Sequence, residues 1–131
     1  MVLLDTPSLI WWINHQPELS PRALGAIEAE RPDGTILLSA VAAWEVAHWA
    51  TQNRLALRMD PAAWLAHITA LPNVRLVPID QTLAIQAAQL PEPAPQSLAL
   101  RLLAATARQF GCPLLTASPA LQAYPHIKIL W

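Results

Sequence analysis

The chain has 131 residues and a mass of 14.3 kDa, which suits one domain, and we predict a single domain over residues 1–131. Eight basic and nine acidic side chains give a formal net charge of -1. The chain therefore lacks the overall positive charge that is typical of proteins binding nucleic acid or anionic membranes through their whole surface. The single cysteine, Cys112, excludes an internal disulfide bond and fits a reducing cytoplasm, where we expect the protein to work.

Apolar residues are unusually frequent for so short a chain. Hydrophobic residues make up 54% and charged residues only 13%, so some apolar surface must remain outside the core. Six tryptophans favour contact patches, because large aromatic side chains are enriched there. We expect a homodimer face or a groove for a partner segment; the alternative is apolar surface scattered singly. The first apolar run is interrupted by Asp5 and Pro7, so we predict neither a signal peptide nor a membrane span.

The first predicted element is a strand over residues 2–6. Because this run is apolar up to Asp5, we predict that it is buried in the middle of a parallel sheet, with Asp5 at its carboxyl end. Ligands of open α/β sheets bind at this edge, so Asp5 is the first candidate site residue. Its alternative role is structural, as an acceptor for backbone donors at the start of the helix that Pro7 opens.

Helices and short apolar strands alternate along the rest of the chain. N-cap residues predict helices after Ser20, Asp60, Asp80 and Ser97, and a change to helical period predicts another from Ser39. Apolar runs predict strands at residues 35–38, 75–79, 113–116 and 127–131. Leu24 and Ile27 are expected on the buried side of the first of these helices. Pro78 suits an edge position for the third strand. This alternation predicts an α/β sandwich with a mostly parallel sheet of about five strands.

Glu45 is the second candidate site residue. It falls in a helix beside the apolar residues Trp44 and Trp49, where a charge is costly unless it is paired, exposed or bound to a cation. A salt bridge with Arg101 is the alternative to metal binding. The spacing of Glu45 and His48 occurs in helix-bundle metal sites, but a single copy predicts a hydrogen-bonded interface or core histidine instead.

Five local strings, in their order and spacing, resemble the PIN domain of VapC-type toxins: residues 3–6, 38–47, 102–107, 114–116 and 124–126. The resemblance implies an α/β/α fold, usually a homodimer, that cleaves RNA with Mg²⁺ or Mn²⁺ held by a cluster of carboxylates. It also implies a small antitoxin protein, VapB-like, that wraps the toxin and blocks the site.

The same resemblance implies which positions form that carboxylate cluster. The family's first acid matches Asp5, and its second matches Glu45. The third acid and an accessory acid fall at Leu100 and Ser97, and the last acid or amide falls at Ser118. Two of the acids are therefore present, while the others are replaced by aliphatic or hydroxyl side chains.

The distribution of acids along the chain supports this departure without the resemblance. The last acidic residue is Glu92, so residues 93–131 contribute no side-chain carboxylate to any site. Glu92 itself lies between two prolines and is expected to be a solvated loop charge. The other candidate polar groups carry neutral hydroxyls, which can orient water but cannot replace negative charge: Thr6, Ser39 and Thr116.

Two hypotheses follow for function. In the first, the chain is a degenerate toxin with little or no ribonuclease activity, which binds Mg²⁺ or Mn²⁺ weakly or not at all and acts through dimer and antitoxin binding. In the second, it is an active Mg²⁺- or Mn²⁺-dependent endoribonuclease that uses Asp5 and Glu45. Arg101 is a candidate contact for phosphate or for the partner. Cys112 is expected to be a small core residue.

Overall fold

The computed structural model describes all 131 residues. Its five strands are β1 (Val2–Leu4), β2 (Ile36–Ser39), β3 (Val74–Val77), β4 (Leu114–Leu115) and β5 (Ile129–Leu130). Its seven helices are α1 (Thr6–Ile13), α2 (Pro21–Glu30), α3 (Ala40–Thr51), α4 (Pro61–Thr69), α5 (Gln81–Ala88), α6 (Leu98–Phe110) and α7 (Pro119–Gln122). None of these helices combines the length and the apolar character that crossing a membrane requires.

The strands form one parallel sheet in the order β3-β2-β1-β4-β5, with β1 at its centre. Leu3 of β1 pairs with Leu37 of β2 on one side and with Leu114 of β4 on the other. All three residues of β1 are buried, as a strand covered on both faces requires. The predicted central position of the first strand, and the predicted edge position of the third, are confirmed.

Helices cover both faces of the sheet, so the fold has three layers. Leu3 and Leu37 point into a core that α5 and α6 complete. Leu4 and Leu38, one residue further along their strands, point into a second core that α1, α2 and α4 complete. Side chains of successive strand residues alternate between faces, which explains why each strand feeds both cores. The predicted α/β sandwich is confirmed.

The order of the strands creates a crevice at the carboxyl edge of the sheet. The chain leaves β1 and returns to β2 on one side, whereas β4 lies on the other side of β1. Connections therefore diverge between β1 and β4, and such a switch point is where ligands of open α/β sheets bind. Asp5 follows β1 and Thr116 follows β4, so both lie at this crevice.

The predicted N-caps are observed, but three local details differ from the prediction. In α2 the buried side chains are Ala23 and Ile27, while Leu24 is exposed, because it falls on the solvent side of the helical turn. Strand β3 ends at Val77, before Pro78. The short helix α7 was not predicted, since its four residues carry too little periodic pattern to signal a helix.

Glycine is required at position 34 because Glu30 lies so close that no Cβ atom fits, and not because the backbone adopts a left-handed conformation. A Cβ atom at this position would lie 1.9 Å from Oε2 and 2.9 Å from Cα of Glu30. Glu30 accepts a hydrogen bond from the Thr35 N–H at 3.0 Å and pairs with the amino terminus of Met1 at 2.6 Å. The loop before β2 is therefore closed around the Glu30 side chain.

We expect Gly34→Ala to lower the free energy of unfolding by about 1–3 kcal/mol, since the added methyl group forces Glu30 from both partners. Urea denaturation measures the change. Gly25→Ala is the matched control: no atom lies within 4 Å of a Cβ at Gly25, inside α2, and alanine is the better helix former. Equal stability of the two variants would contradict the assignment.

Candidate active site

Asp5 anchors the carboxyl edge of the sheet and is almost completely buried, with 4% of its surface exposed. It is the N-cap of α1, and its Oδ1 accepts a hydrogen bond from the Ser8 N–H at 2.9 Å. Its Oδ2 accepts a hydrogen bond from the hydroxyl of Thr116. The structural role considered for Asp5 is thus observed, and each carboxylate oxygen already has a neutral donor.

Thr116 connects Asp5 to the segment that follows β4. Its hydroxyl oxygen also accepts a hydrogen bond from the Ser118 N–H at 3.0 Å, and its carbonyl oxygen accepts one from the Gln122 amide at 3.0 Å. Ser118 is the N-cap residue of α7, yet its side chain makes no capping hydrogen bond. The sequence analysis missed Ser8 and Gln122, and the sequence carries no signal for either, because Ser8 acts through its backbone N–H and Gln122 meets Thr116 only in the folded chain.

Glu45 lies on α3, and its Oε1 accepts a hydrogen bond from the Thr6 hydroxyl at 2.8 Å. Thr6 directly follows Asp5 in the chain, so the residue next to one candidate carboxylate donates a hydrogen bond to the other. The apolar surroundings predicted for Glu45 are only partial, since Trp44 is 63% exposed and leaves that flank open. Trp44 stacks on His48, which makes no side-chain hydrogen bond.

Arg101 does not reach Glu45, so the salt bridge considered for this pair is wrong. Its guanidinium donates to the carbonyl oxygen of Ala87 at 3.0 Å and pairs with Glu92 at 3.3 Å. The direction of the side chain follows from α5, which packs beside α6 and offers the Ala87 carbonyl. Glu92 remains mostly solvated, with 72% of its side chain exposed, although it has this one partner.

The pKa values of both candidate carboxyls are raised, because each is wholly or partly buried without a positively charged partner. Burial raises the pKa of Asp5, and the hydrogen bonds from Ser8 and Thr116 offset this only in part. Burial also raises the pKa of Glu45; the Thr6 hydroxyl opposes the shift, and the negative charge of Asp5 adds to it. Neither carboxylate accepts a hydrogen bond from a lysine, arginine or histidine.

The structure places the remaining predicted site residues in helix-capping or packing roles. Ser97 caps α6 and accepts a weak hydrogen bond from the Leu100 N–H at 3.4 Å, while Leu100 packs against the core. Ser39 caps α3 and accepts from the Val41 N–H at 3.1 Å. Ser97 also lines an apolar groove of about 490 Å³ together with exposed Trp44 and Leu98. Cys112 is buried, as predicted.

The donor set does not fit the carboxylate cluster that the resemblance implies. No group of three or more histidine, cysteine, aspartate or glutamate side chains comes together to hold a metal ion. Mg²⁺ requires hard oxygen ligands in near-octahedral geometry. Among the predicted site positions, only Asp5 and Glu45 carry carboxylates. A pair of cations has too few ligands here.

The sequence, together with this fold, identifies the class of protein to which the chain belongs. The sequence matches the family model for the PIN domain over residues 2–126, so this chain belongs to the PIN-domain family. Within it the chain is of the VapC type, since it is 33% identical to Ribonuclease VapC22 of Mycobacterium tuberculosis over 125 residues. The aligned part covers 95% of this chain and 92% of that relative.

Two solved structures share the fold at lower sequence identity. VapBC2 from Rickettsia felis, bound to a DNA fragment from its promoter, superposes with a TM-score of 0.70 and 14% identity, over 98% of this chain and 97% of that one. A toxin-antitoxin complex from Klebsiella pneumoniae gives 0.66 and 22%, over 100% and 97%. These likenesses agree with the three-layer architecture.

Proposed function

We propose that this chain is a VapC-type toxin homologue of a toxin-antitoxin system that has lost most or all ribonuclease activity and works in the cytoplasm by binding its antitoxin. One observation carries the proposal. Among the positions where the family resemblance implies acids, only Asp5 and Glu45 carry carboxylates, while α6 and the segment after β4 offer Leu100 and Ser118.

The expected loss of activity follows from charge. Metal-assisted hydrolysis of a phosphodiester needs ligands that fix the cation, which activates water and neutralises the phosphate. Hydroxyls at Ser97 and Ser118 bring no negative charge, and Leu100 brings no oxygen at all. Changes to residues that only support metal ligands typically cost about 10–100-fold in affinity or activity, and loss of ligands themselves should cost no less.

A binding role is supported by the apolar surface that remains outside the core. Trp44 and Leu98 are 63% and 71% exposed, and Ile79 beside them is 42% exposed, around the groove next to Ser97. Exposed apolar patches of this kind are typical of protein interaction sites. Antitoxin binding and homodimer formation are the interactions that we propose for this chain, in line with its membership of the VapC type.

An RNA cleavage assay with millimolar Mn²⁺ tests the proposal. We expect the protein and its Asp5→Ala variant to give the same background cleavage, because the remaining ligands do not hold a catalytic ion. Co-purification with the protein encoded by the adjacent gene checks that the sample is folded and competent to bind. Cleavage that Asp5→Ala abolishes while the variant stays folded would instead establish an active endoribonuclease that uses Asp5 and Glu45.

A further inference from the structure

Two adjoining cavities meet at Arg108, near the end of α6 that is remote from the candidate active site. One, of about 350 Å³, lies between α5 and α6 and is lined by Gln86, Gln89 and Gln109 together with Arg108. The other, of about 380 Å³, is lined by His126 and Lys128 together with Arg108. We call these six residues the Arg108 tract. Ten residues of helix separate Arg108 from Leu98, which corresponds to about 15 Å along the axis.

The tract has positive charge and no opposing acid. Neither cavity is lined by an acidic side chain, and residues 93–131 contain none. Glu30 acts electrostatically on Cys112, which lines the second cavity, but Glu30 is paired with the Met1 amino terminus at 2.6 Å. The positive charge of Arg108 and Lys128 is therefore left uncompensated, in a protein whose net charge is -1.

Arg108 is held in place but keeps free donors. One guanidinium nitrogen donates to the carbonyl oxygen of His126 at 2.9 Å, and this is the only hydrogen bond of its side chain. A guanidinium has five N–H donors in a fixed planar arrangement, and that arrangement matches phosphate oxygens. The contact orients Arg108 at the junction of the cavities while leaving most of its donors for a ligand.

We propose that the Arg108 tract binds the backbone of a nucleic-acid strand, with Arg108 and Lys128 on phosphates and the glutamine amides on sugars or base edges. Cationic side chains combined with amides are the contacts that nucleic acids receive from proteins. An acidic peptide is disfavoured, because three of the six groups are neutral amides that offer it no charge. The site goes beyond the proposed function, since it uses none of the carboxylates at the sheet edge.

The test is fluorescence anisotropy with short labelled single strands of RNA and of DNA, at low salt of about 50 mM, where phosphate contacts are strongest. The variant Arg108→Gln/Lys128→Gln should bind at least about 5-fold more weakly than the unmodified protein, and its salt slope should fall by about 1.4 for two lost phosphate contacts. Arg22→Gln/Arg58→Gln is the matched control, because it removes the same charge from exposed arginines without partners. It should bind within about 2-fold of the unmodified protein.

The RNA and DNA arms identify the strand, since a preference for RNA indicates contacts to the 2′-hydroxyl. Absence of binding to both strands, or equal loss in the two double variants, would overturn the proposal. So would tighter binding of polyglutamate than of either strand, which would assign the tract to an acidic protein. If Arg108→Gln disturbs folding, Lys128→Gln alone, at an exposed position, should lower the salt slope by about 0.7 for one lost phosphate contact.

Discussion

Ser97→Asp, Leu100→Asp and Ser118→Asp introduced together are expected to raise metal-dependent RNA cleavage by at least about 100-fold over the unmodified protein. These are the positions at which the family pattern places acids, and three new carboxylates would complete the ligands around Asp5 and Glu45. Two of the changes suit the local backbone as well. Ser97 and Ser118 are N-cap residues of α6 and α7, and aspartate is as good an N-cap as serine.

Cleavage of a labelled RNA in Mn²⁺ measures this gain. The matched control carries asparagine at the same three positions, which have nearly the same shape but no charge, and it should show no gain. Asp5→Ala added to the aspartate variant should remove the activity. If the aspartate and asparagine variants cut RNA equally, the missing acids are not what limits this protein. Thermal unfolding of both variants controls for the polar side chain introduced at half-buried Leu100.

Asp5→Asn is expected to leave stability at neutral pH unchanged or higher and to weaken its dependence on pH. Burial raises the pKa of Asp5 in the folded protein, so ionisation of this carboxyl opposes folding. The stability that Asp5 contributes is therefore fully present below its unfolded pKa of about 4 and is lost as the pH rises through its folded pKa. Asparagine keeps an oxygen for the Ser8 N–H and has no charge to bury. Its amide nitrogen replaces the oxygen that accepts from Thr116, and it can donate to the Thr116 hydroxyl oxygen instead.

Urea denaturation of the unmodified protein and of Asp5→Asn over a range of pH measures this difference. The advantage of the variant should grow as the pH rises through the folded pKa and then level off. Asp5→Ala is the contrasting variant, because it removes the cap and one partner of the buried Thr116 hydroxyl, and it should be less stable than Asp5→Asn by about 2 kcal/mol at every pH. If Asp5→Asn proves as destabilising as Asp5→Ala, then the negative charge of Asp5 itself stabilises the fold.

Asp5 also supports the fold through its hydrogen bonds. Its side chain links α1 to the segment after β4 through Ser8 and Thr116, so the carboxylate still has a structural task without a cation. Ser97 has one too, since it caps α6 as an aspartate would. Leu100 adds apolar contact with the core. These contacts preserve the scaffold on which the proposed binding role depends.

Local patterns were enough to predict most elements, because their causes are local. The serine and proline at residues 20–21 start α2, and Gly111 ends α6 with a φ of 60°, a conformation that glycine adopts without strain. The apolar run of β1 indicated its central position, since only a strand covered on both faces buries every side chain. That Leu100 and Ser118 occupy acid positions of the site is implied by the family resemblance and stays a prediction.

The sequence by itself thus determined the order of the elements, the central strand and the absence of any acid after Glu92. Only the tertiary structure decided which side chains meet. Thr116 donates to Asp5 from 111 residues away, and Arg101 turns to Ala87 and Glu92 instead of Glu45. Backbone conformation depends mainly on neighbours in the chain, whereas the partner of a side chain depends on which helices and strands the fold places beside it.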